Sequence, residues 1–252
     1  MDFSKLSNRS FLGRLPRWPL RLIPERAVFP VLQGQLRGRK WVVGAGNHGY
    51  WLGSYEIQKR QAFEREIKPG MIVYDIGANV GYYSLLAAQL TGATGKVYAF
   101  EPLQRNVNFI HQHIALNHFN TIEVFEAAVA EQNGEALFDP GVSVATGHLS
   151  KTGTVPVRQY SLDALLAAGK IAPPDAMKVD VEGAEYAVVK GAERLIRDYL
   201  PLIFLDTHAR EAHASTLGFL EKYGYRFEVL DARPLVEAKE LIARPPASKA
   251  LR

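Results

Sequence analysis

An α/β fold, a parallel sheet covered by helices, is what the 252-residue sequence predicts, on three observations. From Met71 onward, five short apolar runs end in acidic residues, stretches of helical length alternate with those runs, and the first run passes directly into a turn bracketed by glycines. Strands buried on both faces read as continuous apolar runs, and their alternation with helices implies parallel crossovers.

The strands are MIVYDI (71–76), KVYAFE (96–101), TIEVF (121–125), AMKVDV (176–181) and PLIFLD (201–206). Between and after them, residues 80–90, 103–116, 184–196 and 209–223 have the length and apolar spacing of helices. The connection 128–175 differs, with short strand-like pieces EALF and TVPVR followed by SLDALLAA, a helix capped by Ser161. It reads as an insertion near the site. The last residues, RPPASKALR, read as a loose tail.

Composition sets the broad class. The chain is 47% hydrophobic and 22% charged, which is ordinary for a globular protein, and it has no cysteine. Disulfides, thiolate metal sites and cysteine nucleophiles are therefore excluded. The apolar runs are far shorter than the roughly 20 residues that span a bilayer. Pro16, Arg17, Pro19, Arg21 and Pro24 interrupt any signal-peptide core, so a cytoplasmic location is expected. The net charge of +4 is uneven: residues 1–40 hold nine Lys or Arg against Asp2 and Glu25, leaving −3 for the rest. Residues 1–48 thus read as a basic N-terminal arm and 49–252 as the main domain. Arginines interleave with Phe11, Leu15, Trp18, Leu22 and Phe29, but prolines prevent a long amphipathic helix, so an arm wrapped on the domain with its arginines in water is favoured over a peripheral membrane contact.

In open α/β sheets, ligands bind beyond the carboxyl ends of the strands. After the first strand comes GANVG, in which Gly77 and Gly81 bracket Asn79, a turn whose backbone N–H groups can approach a ligand. The dinucleotide fingerprint GxGxxG fails here, because positions 77, 79 and 82 are Gly, Asn and Tyr. Asp75 would repel a pyrophosphate but attract a ligand bearing an ammonium and a sulfonium, which points to S-adenosylmethionine. Glu101, 24 residues past Gly77, is placed to accept ribose hydroxyls. After the third strand, Glu126 is placed to receive the adenine amine, and Ala127 and Ala128 leave room for the ring.

The motifs VYDIGANVGYYSLLAA (73–88), FEP (100–102), SLDAL (161–165) and KVDVEGAEYAVVKGAE (178–193), in this order, resemble the FkbM family of methyltransferases, as does GYWLGSYE (49–56) upstream. The resemblance covers about Gly49 to His208. It implies a Rossmann-like, seven-stranded class I methyltransferase fold with an N-terminal extension, and methyl transfer from S-adenosylmethionine to a hydroxyl of a sugar, glycolipid or secondary metabolite. Carried over by position, it assigns cofactor contacts to Asp75, Gly77, Asn79, Gly81 and Glu101, with Tyr55 and Glu56 closing the methionine end.

The second motif brings Asp180, Glu182 and Glu185 to the end of the fourth strand. Asp180 and Glu182 precede the helix at the ligand-binding edge, where Gly183 lets the chain turn, whereas Glu185 is accounted for by the positive end of that helix. The fifth strand delivers Asp206 and His208 to the same edge, two residues apart and on the same side. His208 or Asp180 is then the base, with Glu182 orienting the hydroxyl. His111, His113, His118 and His213 lie on or beside helices, where solvated or capping roles suffice. No metal is assigned, although Asp180, Glu182, Asp206 and His208 form the ligand set of a rival reading with Mg²⁺ or Mn²⁺. Three further functions compete. An NAD-dependent oxidoreductase is opposed by Asp75 and the failed fingerprint. Nucleic-acid binding or modification, suggested by the basic arm, is disfavoured by the acidic body and by DVEG in place of a base-amine loop. A degenerate fold kept for binding is opposed by the intact motifs.

Overall fold

The structure, a computed structural model, describes residues 23–139, 148–149 and 153–247. A hairpin of β1 (Val28–Pro30) and β2 (Lys40–Val42) leads through the short helix α1 (Gly49–Leu52) to α2 (Ile57–Glu66). The predicted units follow: β3 (Ile72–Ile76), α3 (Tyr82–Thr91), β4 (Lys96–Phe100), α4 (Gln104–Asn117) and β5 (Ile122–Phe125). The connecting segment holds β6 (Ala128–Val129), β7 (Gly134–Asp139), β8 (His148–Leu149), β9 (Val155–Tyr160) and α5 (Leu162–Ala167). The chain then continues through β10 (Ala176–Val179), α6 (Glu185–Lys190), α7 (Glu193–Tyr199), β11 (Leu202–Asp206), α8 (Arg210–Glu221), β12 (Arg226–Val229) and β13 (Glu240–Arg244).

Seven strands form the central sheet in the order β12-β13-β11-β10-β3-β4-β5, parallel except for β13, which runs antiparallel to both neighbours. Successive residues of each strand serve opposite layers. Val73, Val97, Ala176 and Phe204 pack with Phe63, Leu85 and Leu86 on one face, while Tyr74, Ile76, Met177 and Leu205 pack with Leu162, Val188 and Leu220 on the other. The order reverses between β3 and β10, whose carboxyl ends lie flush through the pair Ile76 and Val179. That junction is where an open sheet makes its crevice. The connecting segment forms its own four-stranded sheet, in the order β6-β9-β7-β8, beside the crevice.

The described part of the N-terminal segment enters the main core. Val31, Leu36, Trp41 and Val42 are buried in the same cluster as Phe63 and Leu85. Here the solvated role expected for His113 gives way to a structural one. Its ring is fully buried and stacks on Trp41 with centroids 3.9 Å apart, Nε2 accepts from Val42 N at 3.1 Å, and Nδ1 donates to Val80 O at 3.0 Å. Burial pushes its pKa down to about 4, which keeps the ring neutral for that paired role. Asn117 completes the seam, accepting from Lys40 N at 2.7 Å and donating to Lys40 O at 2.8 Å.

Two other expectations are corrected. The helix expected over 184–196 is two helices, α6 and α7, broken at Gly191. The Gly191 carbonyl accepts from Ser161 Oγ and from Asp163 N, both at 2.9 Å, and a Cβ at Gly191 would overlap the Ala130 carbonyl. Tertiary contact at a bare backbone thus overrides a helical pattern. The expected loose tail begins inside β13: Arg244 ends that strand and pairs with Glu66 at 3.0 Å and Glu228 at 2.6 Å. The rest of the tail from Ser248, like residues 1–22 of the arm, lies outside the described residues.

Candidate active site

A cavity of about 370 Å³ opens at the carboxyl ends of β3, β4, β10 and β11. At one end it is lined by Gly77, Asn79, Glu101 and Ala127, and toward the other by Asp180, Glu182, Asp206 and His208, with Tyr55 and Glu56 also on its wall. Asp75, Gly81 and Glu126, which sequence reasoning also placed at the site, are not among the lining residues.

The loop after β3 is built by conformations that its residues tolerate unequally. Gly77 has φ +75°, and a Cβ there would overlap the Asp180 carbonyl, so a glycine is what allows the two strand ends to approach. Asn79 adopts φ 50°, a left-handed conformation that asparagine tolerates better than most residues. Its N–H donates to Glu101 Oε2 at 2.8 Å, while its own Oδ1 is buried without a hydrogen-bond partner. Gly81 sits deeper, at φ +91° against Ile110, and serves the packing of α3 on α4.

Glu101 is held rigidly: Oε1 also accepts from Leu103 N at 3.0 Å and Asn106 Nδ2 at 3.1 Å. Burial pushes its pKa up to about 7, against the pull of these three donors. Asp75 is 1% exposed and lies beneath the loop, where Ser84 Oγ donates to it at 2.6 Å and Lys178 Nζ stands 3.4 Å away. Its strand position turns it toward α3, so it acts on Lys178 and Ser84 from below. Glu126 is exposed, while the neighbouring Ala127 is fully buried against the cavity.

At the other end, β10 stops at Val179 and the chain turns through Glu182 at φ 51° and Gly183 at φ 101° before α6 begins. That turn brings Asp180 Oδ1 and Glu182 Oε2 each to 3.6 Å from His208 Nε2. The first-turn explanation for Glu185 is incomplete. This residue is fully buried, its Oε1 accepts from Gly183 N at 2.8 Å, and the same oxygen lies 2.8 Å from His208 Nδ1. With that oxygen acting as the acceptor, as it does for Gly183 N, Nδ1 carries the proton and Nε2 faces the cavity residues. Burial opposes charge on His208, but the bond to Glu185 and the charges of Asp180 and Glu182 outweigh it and raise its pKa above the ordinary imidazole value. Asp180 is half-buried, and although desolvation opposes its charge, Lys178, Lys59 and His208 hold its pKa below the usual carboxylate value.

Ligand atoms of Asp180, Glu182 and His208 lie within 4.8 Å of one another, a spacing that suits a divalent cation as well as a proton. Asp206, the fourth residue of the metal reading, lies outside that cluster; its Oδ1 pairs with Lys59 at 2.8 Å, while Oδ2 is buried without a hydrogen-bond partner.

Sequence reasoning missed the two cations beneath the site. Lys178 is 4% exposed and donates to Gly77 O at 2.8 Å, and a lysine inside the apolar run AMKV was a legible signal for it. Lys59, 2% exposed, had only its position three residues after Glu56 to mark it. Lys239 and Glu240, which also line the cavity, come from the β12–β13 hairpin and carry no motif.

The residues at the first end fit an adenosine cofactor: a rigid carboxylate, an unpartnered buried amide oxygen, a glycine turn and a small alanine. The sequence profile of the Methyltransferase FkbM domain matches residues 75–227, more than half of the chain. A hexuronic acid methyltransferase, AglP, of Haloferax volcanii is 24% identical over 140 residues, and the match spans 55% of this chain and 56% of that protein. The chain thus matches only about half the length of that relative. Among solved structures, a putative rRNA methylase of Clostridium thermocellum superposes with TM-score 0.50 and 10% identity over 73% of this chain and 89% of its own, a likeness in fold. Methyltransferase FkbM of Methylobacillus flagellatus is 18% identical with TM-score 0.49, over 69% of this chain and 43% of its own. With the strand order, the glycine turn and the acidic strand ends in place, the chain belongs to the FkbM family of methyltransferases, which have the class I fold and use S-adenosylmethionine.

Proposed function

We propose that this methyltransferase is O-directed and acts on a hydroxyl of a sugar, glycolipid or secondary metabolite. The observation that carries the reading is the cluster of Asp180, Glu182 and His208 in the same cavity as Glu101, with His208 held through Nδ1 by the buried Glu185. Glu101 would take the ribose hydroxyls, Asn79 and Gly77 the backbone-facing side, Ala127 the adenine ring, and Glu56 with Tyr55 the methionine ammonium. The sugar assignment draws on the hexuronic acid methyltransferase relative.

S-adenosylmethionine supplies, when bound, a methyl carbon made electrophilic by its sulfonium. What remains for the chain is to hold an alcohol oxygen, to exclude water and to accept one proton. Orientation falls to Glu182 and proton acceptance to His208 Nε2 or Asp180. The test is turnover with labelled cofactor and a panel of hexoses, hexuronates and glycolipids, read as O-methyl product by NMR. The double variant Asp180→Ala, His208→Ala at saturating cofactor should lose about 10²- to 10⁴-fold in rate, the usual contribution of a general base. Wild-type turnover in that variant, or a methyl group found on nitrogen or carbon, would sink the reading.

A further inference from the structure

Lys59 lies beneath the site on α2, the helix that precedes the sheet. Its ammonium lies 2.6 Å from Glu56 Oε2 and 2.8 Å from Asp206 Oδ1, and 5.4 Å from the centre of the Tyr83 ring. Both carboxylates line the cavity, one beside Tyr55 and the other two residues before His208, on the acceptor side. Tyr83 Oη donates to the same Glu56 Oε2 at 3.0 Å.

Stability does not explain this arrangement. A buried ion pair costs desolvation comparable to its Coulombic gain, and apolar residues of similar volume commonly replace one without loss. Glu56 itself adopts φ 40° and ψ 55°, a left-handed conformation that costs energy in a residue with a Cβ and needs surrounding contacts to persist. Two donors converging on one oxygen supply those contacts. The carboxylate is thereby fixed on the cavity wall by Lys59 and Tyr83, and Lys59 at the same time grips Asp206.

We propose that Lys59 is a positioning residue that fixes the Glu56 carboxylate for the ammonium of the cofactor's amino-acid end and ties that end to Asp206 on the acceptor side. The proposal rests on the assignment of Glu56 to the methionine end made above. Without Lys59, Glu56 loses a charged anchor, and its binding contribution falls because the group is no longer held in place before the ligand arrives. The adenosine end, built on Glu101 and Asn79, shares no contact with Lys59 and stays intact.

The test is calorimetric titration of the full chain with S-adenosylhomocysteine and, separately, with adenosine, alongside thermal unfolding. The variants are Glu56→Gln, Lys59→Met, Asp206→Asn and the Lys59→Met, Asp206→Asn pair. The pair removes both charges, so Asp206 is not left as a buried carboxylate without its cation, and folding survives even where Lys59→Met alone does not fold. Expected is a melting temperature near that of Asp206→Asn, unchanged adenosine affinity, and homocysteine-product affinity about tenfold or more below Asp206→Asn, the order of one lost charged hydrogen bond. Equal affinity of the pair and Asp206→Asn for S-adenosylhomocysteine overturns the role of Lys59, as does a parallel loss of adenosine affinity. Wild-type affinity in Glu56→Gln refutes the placement of Glu56 itself, which separates failure of the underlying reading from failure of this one.

Discussion

Replacing Glu185 by glutamine isolates the electrostatic half of the contact with His208. The amide oxygen introduced by Glu185→Gln can still accept from Gly183 N and from His208 Nδ1, so the geometry of the turn is retained while the negative charge is lost. A hydrogen bond to a charged partner contributes about 1.5–3 kcal/mol and a neutral one about 0.5–1.5 kcal/mol, a difference of roughly 1–1.5 kcal/mol. Losing that difference lowers the His208 pKa, because the carboxylate favours the charged ring. The imidazole is 30% exposed, which favours the smaller figure. The sign is fixed: the charge of Glu185 favours imidazolium, so its removal moves the titration to lower pH. The assay is an NMR titration of the histidine rings, with the His208 signal identified by its absence in His208→Gln, and it needs no methyl acceptor. An unchanged or raised His208 pKa in Glu185→Gln would refute the claim that the buried carboxylate sets the protonation of the ring.

Two other predictions follow from the same geometry. Gly77→Ala forces a positive φ on a residue with a Cβ and drives that carbon into the Asp180 carbonyl, so stability should fall by about 1–3 kcal/mol or more, with cofactor binding lost, as read by thermal unfolding and titration. Proton acceptance by His208 predicts that methyl transfer survives exhaustive chelation, whereas a loss restored by Mg²⁺ or Mn²⁺ would make Asp180, Glu182 and His208 ligands instead.

The parallel half of the sheet was legible because its strands are buried on both faces and read as unbroken apolar runs ending in acids. The edge strand β12, in which no residue is fully buried, and its antiparallel partner β13, which begins at Glu240 and ends at Arg244 and so lacks the run into an acid, were not. At the site, glycine turns and strand-end carboxylates could be read directly, because the crevice of an open sheet has a fixed place. Burial and direction could not. Asp75 belongs to the motif yet lies under the cavity, Glu126 lies beside the buried Ala127 yet is exposed, and Glu185 satisfies a helix end and a histidine with one oxygen. Lys59 and His113 show the remaining limit. Each draws its role from partners far away in sequence, Asp206 for Lys59 and Val42 for His113.

The most direct test of the central claim, that the cavity at the ends of β3 and β10 holds S-adenosylmethionine through Glu101 and its loop, is titration of the wild type and of Glu101→Gln with S-adenosylhomocysteine, with NAD as the control. At about 100 times the dissociation constant a ligand stabilises by about 2.7 kcal/mol, which at roughly 2–4 °C per kcal/mol raises the melting temperature by about 5–11 °C. The predicted result is saturable binding to the wild type, marked weakening in Glu101→Gln and no response to NAD. Binding of NAD in preference, or undiminished binding of S-adenosylhomocysteine in Glu101→Gln, would contradict it.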